Sequence, residues 1–274
     1  MLLVRKVWSS WKASLSMFWD KQVLGLLFLA TLRGLKACMR FWWVMLPGLG
    51  ACAVIIAWDS AYAFYVSIFM LFVYMILLIL AVRPSPDLKD ARYFLRHLKR
   101  LPFFMVVGAT LFFLFYYVLV PVLDRKINFL PGVYVFPFNI LFCIFYLSIR
   151  QLYSFFLLAD SRISFVNTIK SIFAGILFFL VNLPGALAVC ALSIAIFVAS
   201  LSSLINILPF IITDYSFNYD ILFVAAKWGT GPGIHAPTII GAAVIALPFW
   251  IALSGAFYTW RICESLDIIG IGPE

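Results

Sequence analysis

Between residues 41 and 260 the chain is dominated by long runs that carry almost no charge. Each comes close to the roughly 20 residues a helix needs to cross a hydrocarbon core of about 30 Å. No other feature restricts the fold as strongly. A bilayer offers no water to unpaired backbone groups, so only helices or closed barrels cross it. Runs of this length that are predominantly apolar and nearly free of charge are read as helical spans. Composition agrees, with 65% of the 274 residues apolar, 11% charged and a mean hydropathy of +1.10. Soluble domains average about 45–50% apolar and about 25% charged residues, so a soluble globular protein is excluded.

Six spans are expected, at about 41–58, 61–82, 101–123, 131–149, 172–196 and 238–260. The fold class is therefore all-α, a polytopic transmembrane helix bundle. Phe41, Trp42 and Trp43 anchor one end of the first span and Trp58 the other, as aromatic residues do at membrane–water boundaries. Little more than Asp59 and Ser60 separates the first two spans, which makes them a helical hairpin. Three regions result: a basic amphipathic segment over 1–40, the six-span domain over 41–262, and a short cytoplasmic tail over 263–274.

The formal charge of +9 would suggest a polyanion partner in a soluble protein. Here its distribution matters more. With the N-terminus inside, 17 of the 20 Lys and Arg residues fall on the inner side, leaving Arg125, Lys126 and Lys227 outside. Short inner loops collect such residues, so the bias predicts an N-in/C-in orientation in the cell membrane. No nucleic-acid partner is needed to account for the surplus. The five cysteines are isolated and form neither a disulfide framework nor a zinc knuckle.

Within the first 40 residues Trp8, Trp11, Leu15, Phe18 and Trp19 recur at helical spacing, while Ser9, Lys12, Ser16 and Asp20 lie off that stripe. Two readings stand at this level. The helix lies in the interface with its cations toward anionic headgroups, or it packs beneath the bundle. The apolar run 22–32 is too short to span; it ends at Arg33 without a small-residue cleavage site and is not expected to be a cleavable signal. Two further amphipathic elbows follow. Ser85-Pro86-Asp87 opens one, with Leu88, Ala91, Leu95 and Leu98 on one face. Asp160-Ser161-Arg162 opens the other, with Ile163, Val166, Ile169 and Ile172 aligned. The plan is three units, each an inner-face amphipathic helix followed by a two-span hairpin. Lys12, Lys21, Arg92, Arg96, Lys99 and Arg100 are the candidate contacts to anionic lipid.

The segment from Asp160 to Ser171, with Asp160, Ser164 and Ser171, resembles an inner short helix with a recurrent serine that precedes an apolar span. That element and the six-span layout resemble the bacterial membrane domain found attached to glycerophosphoryl diester phosphodiesterases, and its stand-alone relatives. The resemblance implies a bacterial inner-membrane location. The phosphodiesterase catalytic domain has no counterpart in this chain, so the resemblance carries no activity.

Chemistry is scarce where it would have to act. His97 and His235 are the only histidines and are expected on opposite sides of the membrane, which excludes a two-histidine zinc or acid–base site within one chain. Ser254 sits in a span without a histidine to activate it. Glu264 and Glu274 are the only glutamates, and no nucleotide-binding motif is present. No enzyme activity, metal or cofactor is expected. The polar candidates within or beside spans are Asn139, Asn182, Arg150 and Gln151. Proline in a span frees a backbone carbonyl that a neighbour must satisfy, and Asn139 and Asn182 lie next to Pro137 and Pro184. They serve either as glue between helices or as the lining of a polar substrate path. Arg150 is expected to snorkel to the inner interface, and Arg261 with Glu264 to form a surface pair at i and i+3 beyond the last span. The expected function is a non-catalytic membrane component assisting transport or assembly, with membrane-protein partners. The alternative is a small-solute or lipid permease using the kinked, Asn-bearing spans.

Overall fold

The computed structural model describes residues 2–40, 42–57, 61–82, 102–103, 152–157, 165–211 and 236–269. The described residues are helical throughout, apart from short turns, and contain no strand. Helix α1 (Leu2–Leu15) passes through a 3₁₀ turn, Ser16–Phe18, into α2 (Lys21–Arg40). Asp20 caps α2, its carboxylate accepting the backbone N–H groups of Gln22 at 2.9 Å and Val23 at 3.4 Å, which satisfies orphan donors of the first turn. A second 3₁₀ turn, Trp42–Met45, leads into α3 (Leu46–Ala57). Pro47 stands in the first turn of α3, where no intrahelical N–H is required of it.

Helix α4 (Ala61–Val82) packs against α3, and Ser67 Oγ donates to the Ala51 carbonyl at 2.9 Å across the pair. Apart from residues 102–103, the expected spans at 101–123 and 131–149 and the elbow at 83–100 lie outside the described residues. The chain is described again in α5 (Phe165–Val181), α6 (Leu183–Ile211) and α7 (Ala236–Ile269).

Among the described residues three helices are long and apolar enough to cross a membrane: Lys21–Arg40, Leu183–Leu204 and Ile240–Ser265. Two of them differ from the sequence expectation. The run that looked too short at 22–32 belongs to a continuous 20-residue helix, because Leu35, Ala37, Cys38 and Met39 carry the apolar pattern past Arg33 and Lys36. The fifth span, expected as one run over 172–196, is interrupted at Asn182, and the membrane-length helix starts at Leu183. Pro184 is the physical reason, since it has no N–H to continue the ladder.

Helix α7 is the hub. It packs against α1, α2, α3, α4, α5 and α6, and 61% of its apolar window is buried against 17% for the other two long helices. Small residues let the neighbours close on it, as in membrane bundles generally. Gly34 of α2 faces Ala252, and Gly255 faces Val82 of α4. An aromatic cluster fills the space between the helical segment 152–157, α5 and α7. Tyr153 and Phe178 have ring centroids 4.7 Å apart, and Phe156 stacks on Tyr258 at 5.2 Å. Such offset and edge contacts add to simple burial.

Candidate functional site: a buried polar clasp

The interruption between α5 and α6 has a specific hydrogen-bond geometry. Helical bonding continues through Asn182 itself: its N–H donates to the Phe178 carbonyl at 3.1 Å, and its carbonyl accepts Ala186 N–H at 2.9 Å. The disturbance lies one turn around. An N–H at position 184 would donate to the carbonyl of Leu180, but proline has none. That carbonyl instead accepts Trp11 Nε1–H from α1 at 3.0 Å. The next N–H, that of Gly185, donates to Ser14 Oγ at 3.3 Å, while Ser14 donates to the Trp11 carbonyl at 2.9 Å. Two backbone groups disturbed by one proline are thus satisfied by two adjacent turns of α1. Only glycine fits at 185, because a Cβ there would stand 2.8 Å from the Phe257 ring and 2.9 Å from Ser14 Cβ.

Beside this junction lies a closed polar ring. Arg261 of α7 is 1% exposed. Its Nε donates to Asn182 Oδ1 at 2.9 Å, and its Nη2 donates to Ser10 Oγ at 2.8 Å. Ser10 in turn donates to Asn182 Oδ1 at 3.4 Å. The other end of the amide donates to the Phe178 carbonyl at 3.0 Å and to Ser265 Oγ at 2.7 Å. Ser265 Oγ donates in turn to the Arg261 carbonyl at 2.7 Å. Donors and acceptors alternate consistently around both loops, which fixes the Asn182 amide with its oxygen toward the guanidinium. The remaining Arg261 nitrogen, Nη1, pairs with Glu264, which is largely exposed. Arg261 also lies 5.3 Å from the Trp260 ring centroid.

This corrects the expected surface pair. Arg261 is inside the bundle, because α7 continues to Ile269 and keeps residue 261 under α1 and the α5–α6 junction. Only Glu264 reaches water. A buried guanidinium is tolerated when every nitrogen is paired, and here each is engaged.

The other sequence candidates separate cleanly. Asn182 is at the centre of the clasp, completely buried. Lys12 is exposed on α1 with Nζ 5.8 Å above the Trp8 ring, and Lys21 is exposed at the start of α2. Asn139, Arg150, Gln151, Arg92, Arg96, Lys99 and Arg100 lie outside the described residues, as do Asp160 and Ser164. Ser171 is buried in α5. Among the described residues no three His, Cys, Asp or Glu side chains come together as a metal site would require.

Sequence reasoning missed Ser10, Ser14 and Ser265. The signal was present: Ser10, Ser14 and Met17 follow at i, i+4 and i+7, a third face of α1 between its aromatic and charged faces, and all three are buried. Small residues at that spacing permit close helix approach. A second proline repeats the theme. Pro248 lies inside α7 and leaves the Val244 carbonyl without its usual donor. Tyr74 of α4 points its hydroxyl at that carbonyl, 3.3 Å away, with Met45 Sδ as the other acceptor at 3.0 Å. Comparison of the chain with known protein families, curated proteins and solved structures finds no match.

Proposed function

We propose that this chain is a non-catalytic integral membrane component with six spans and both termini inside, assisting membrane transport or assembly through its surfaces. In this arrangement α3, α4, two runs within 101–149, α6 and α7 cross the bilayer, while α1, α2 and α5 lie along the inner face. Helix α2 has the length to cross, but Lys21, Arg33, Lys36 and Arg40 are all exposed along it. Cations in mid-helix favour the interface, where they meet anionic headgroups at little cost.

One observation carries the non-catalytic assignment. Arg261 and Asn182, the most polar buried pair among the described residues, direct their hydrogen-bonding groups to partners within the chain. A residue that binds solute must exchange partners, and here that exchange would leave a buried guanidinium unpaired. The clasp therefore works as glue between α1 and α7, the first and last helices among the described residues. A permease is the second reading, favoured by the proline interruptions at Pro184 and Pro248, since discontinuous helices line substrate paths in transporters.

Two experiments divide these readings. Reporters fused at Asp20, after Arg40 and at the C-terminus should all fall inside; opposite sides for the first two would make α2 a span and overturn the six-span count. Asn182→Leu should deplete folded protein from the membrane. Normal levels of folded protein with uptake abolished would select the permease. Crosslinking in intact membranes should then return a defined membrane-protein neighbour.

A further inference from the structure

Helix α1 has two faces that do opposite things. Ser10, Ser14 and Met17 are buried against the bundle. On the outer side Trp8 is 56% exposed, Val4 is exposed, and Arg5, Lys6 and Lys12 are exposed with them. The helix contains no acidic residue. Its 14 residues extend about 21 Å at 1.5 Å each and carry three exposed cations, which suits the interface better than the hydrocarbon core. The Trp11 bond to Leu180 sets α1 against the end of α5, whose exposed side is the apolar stripe Val166, Ile169, Phe173, Leu177 and Leu180. Lys170 is exposed beside that stripe. Tryptophan and aliphatic side chains bordered by lysine and arginine match the headgroup–acyl boundary of an anionic leaflet, which takes both in one layer. Lys12 over the Trp8 ring holds cation and aromatic side by side at that boundary.

We propose that α1 binds the anionic inner leaflet with its Trp8–Lys12 face, and that this binding holds the Ser10–Asn182–Arg261 clasp closed from behind. The proposal rests on the inside placement of the N-terminus. The coupling follows from linkage. An isolated 14-residue helix is marginal in water, and the clasp requires Ser10, Trp11 and Ser14 in helical register. A leaflet that binds the helical, docked form and not the frayed one stabilises every bond that form makes. Charge on the lipid therefore reaches Arg261, although that side chain is buried within the bundle.

The test is hydrogen exchange on the full chain in nanodiscs of phosphatidylcholine alone or with roughly one-third phosphatidylglycerol. Amides of α1 and of residues 180–186 should both exchange about tenfold more slowly in the anionic discs. The triple variant Arg5→Gln, Lys6→Gln, Lys12→Gln, all on exposed positions, should abolish that difference. Equal exchange in the two lipids overturns the proposal. Slowing in α1 without slowing at 180–186 overturns the coupling that defines it. A reporter showing the N-terminus outside overturns the orientation as well, whereas an inside N-terminus with lipid-independent exchange overturns this proposal alone.

Discussion

The α5–α6 junction and the middle of α7 begin from the same chemical deficit and resolve it differently. Each contains a proline that withholds an N–H from a carbonyl four residues earlier, and in each an aromatic side chain of another helix supplies the donor. At Pro248 the donor is Tyr74, completely buried in α4, and α7 continues unbroken for 34 residues. At Pro184 the donor is Trp11, from a partly exposed helix at the bundle's edge, and the helix is interrupted. The contrast teaches that the proline alone does not decide between kink and break. What differs is where the donor comes from: Tyr74 is buried between packed helices, whereas the α5–α6 junction, although it packs on α7, takes its donors from the amphipathic α1. The Val244 carbonyl, freed by Pro248, is met from within the packed bundle, and the Pro184 junction relies on α1 for its donors.

The largest effect should come from the clasp. Asn182→Leu leaves Arg261 Nε and Ser265 without their buried partner and should destabilise the chain by about 3–5 kcal/mol, measured by unfolding in mixed micelles. A loss below about 1 kcal/mol would place the strength of the junction in its apolar packing instead. Tyr74→Phe should cost about 1–2 kcal/mol, since the Val244 carbonyl loses a buried donor. Trp11→Phe, at the more exposed bond, should cost only about 0.5–1 kcal/mol. The smallest and sharpest measurement is a pair of double-mutant cycles. With Pro184→Ala an N–H is restored to Leu180, so Trp11→Phe should then cost close to nothing; with Pro248→Ala the cost of Tyr74→Phe should fall likewise. Additive costs in either cycle would mean that the aromatic donor is not compensating for the proline.

Much of this was legible beforehand, and unevenly. Two of the three membrane-length helices among the described residues were readable, α6 with a shifted start, because the apolar character of a run survives any tertiary arrangement. Asn182 was expected to satisfy the carbonyl freed by a nearby proline, but the Leu180 carbonyl is met by Trp11, and Asn182 donates to Phe178 and Ser265 instead. Its distant partners were not legible, because Ser10 and Ser265 lie 172 and 83 residues away in sequence, and a serine carries no periodic signal that announces its acceptor. Arg261 was misplaced because counting residues from the start of the apolar run ended the helix at Trp260, whereas α7 continues to Ile269. The reach of α2 was underestimated for a similar reason: Arg33 and Lys36 interrupt the linear run but not the helix, whose other positions remain apolar.

The sequence by itself determined that the chain is helical and that its long helices suit a bilayer, because 65% apolar content with so little charge permits nothing else. It also determined where a carbonyl inside a helix loses its usual donor, since proline has no N–H to offer it. Only the tertiary structure decided what meets that carbonyl. It brought Trp11 and Ser14 to the Pro184 junction, Tyr74 to the Val244 carbonyl, and Ser10 with Asn182 to a guanidinium that sequence spacing had assigned to the surface. A backbone group freed inside a low-dielectric bundle must find a partner, and which partner it finds depends on which helices lie side by side.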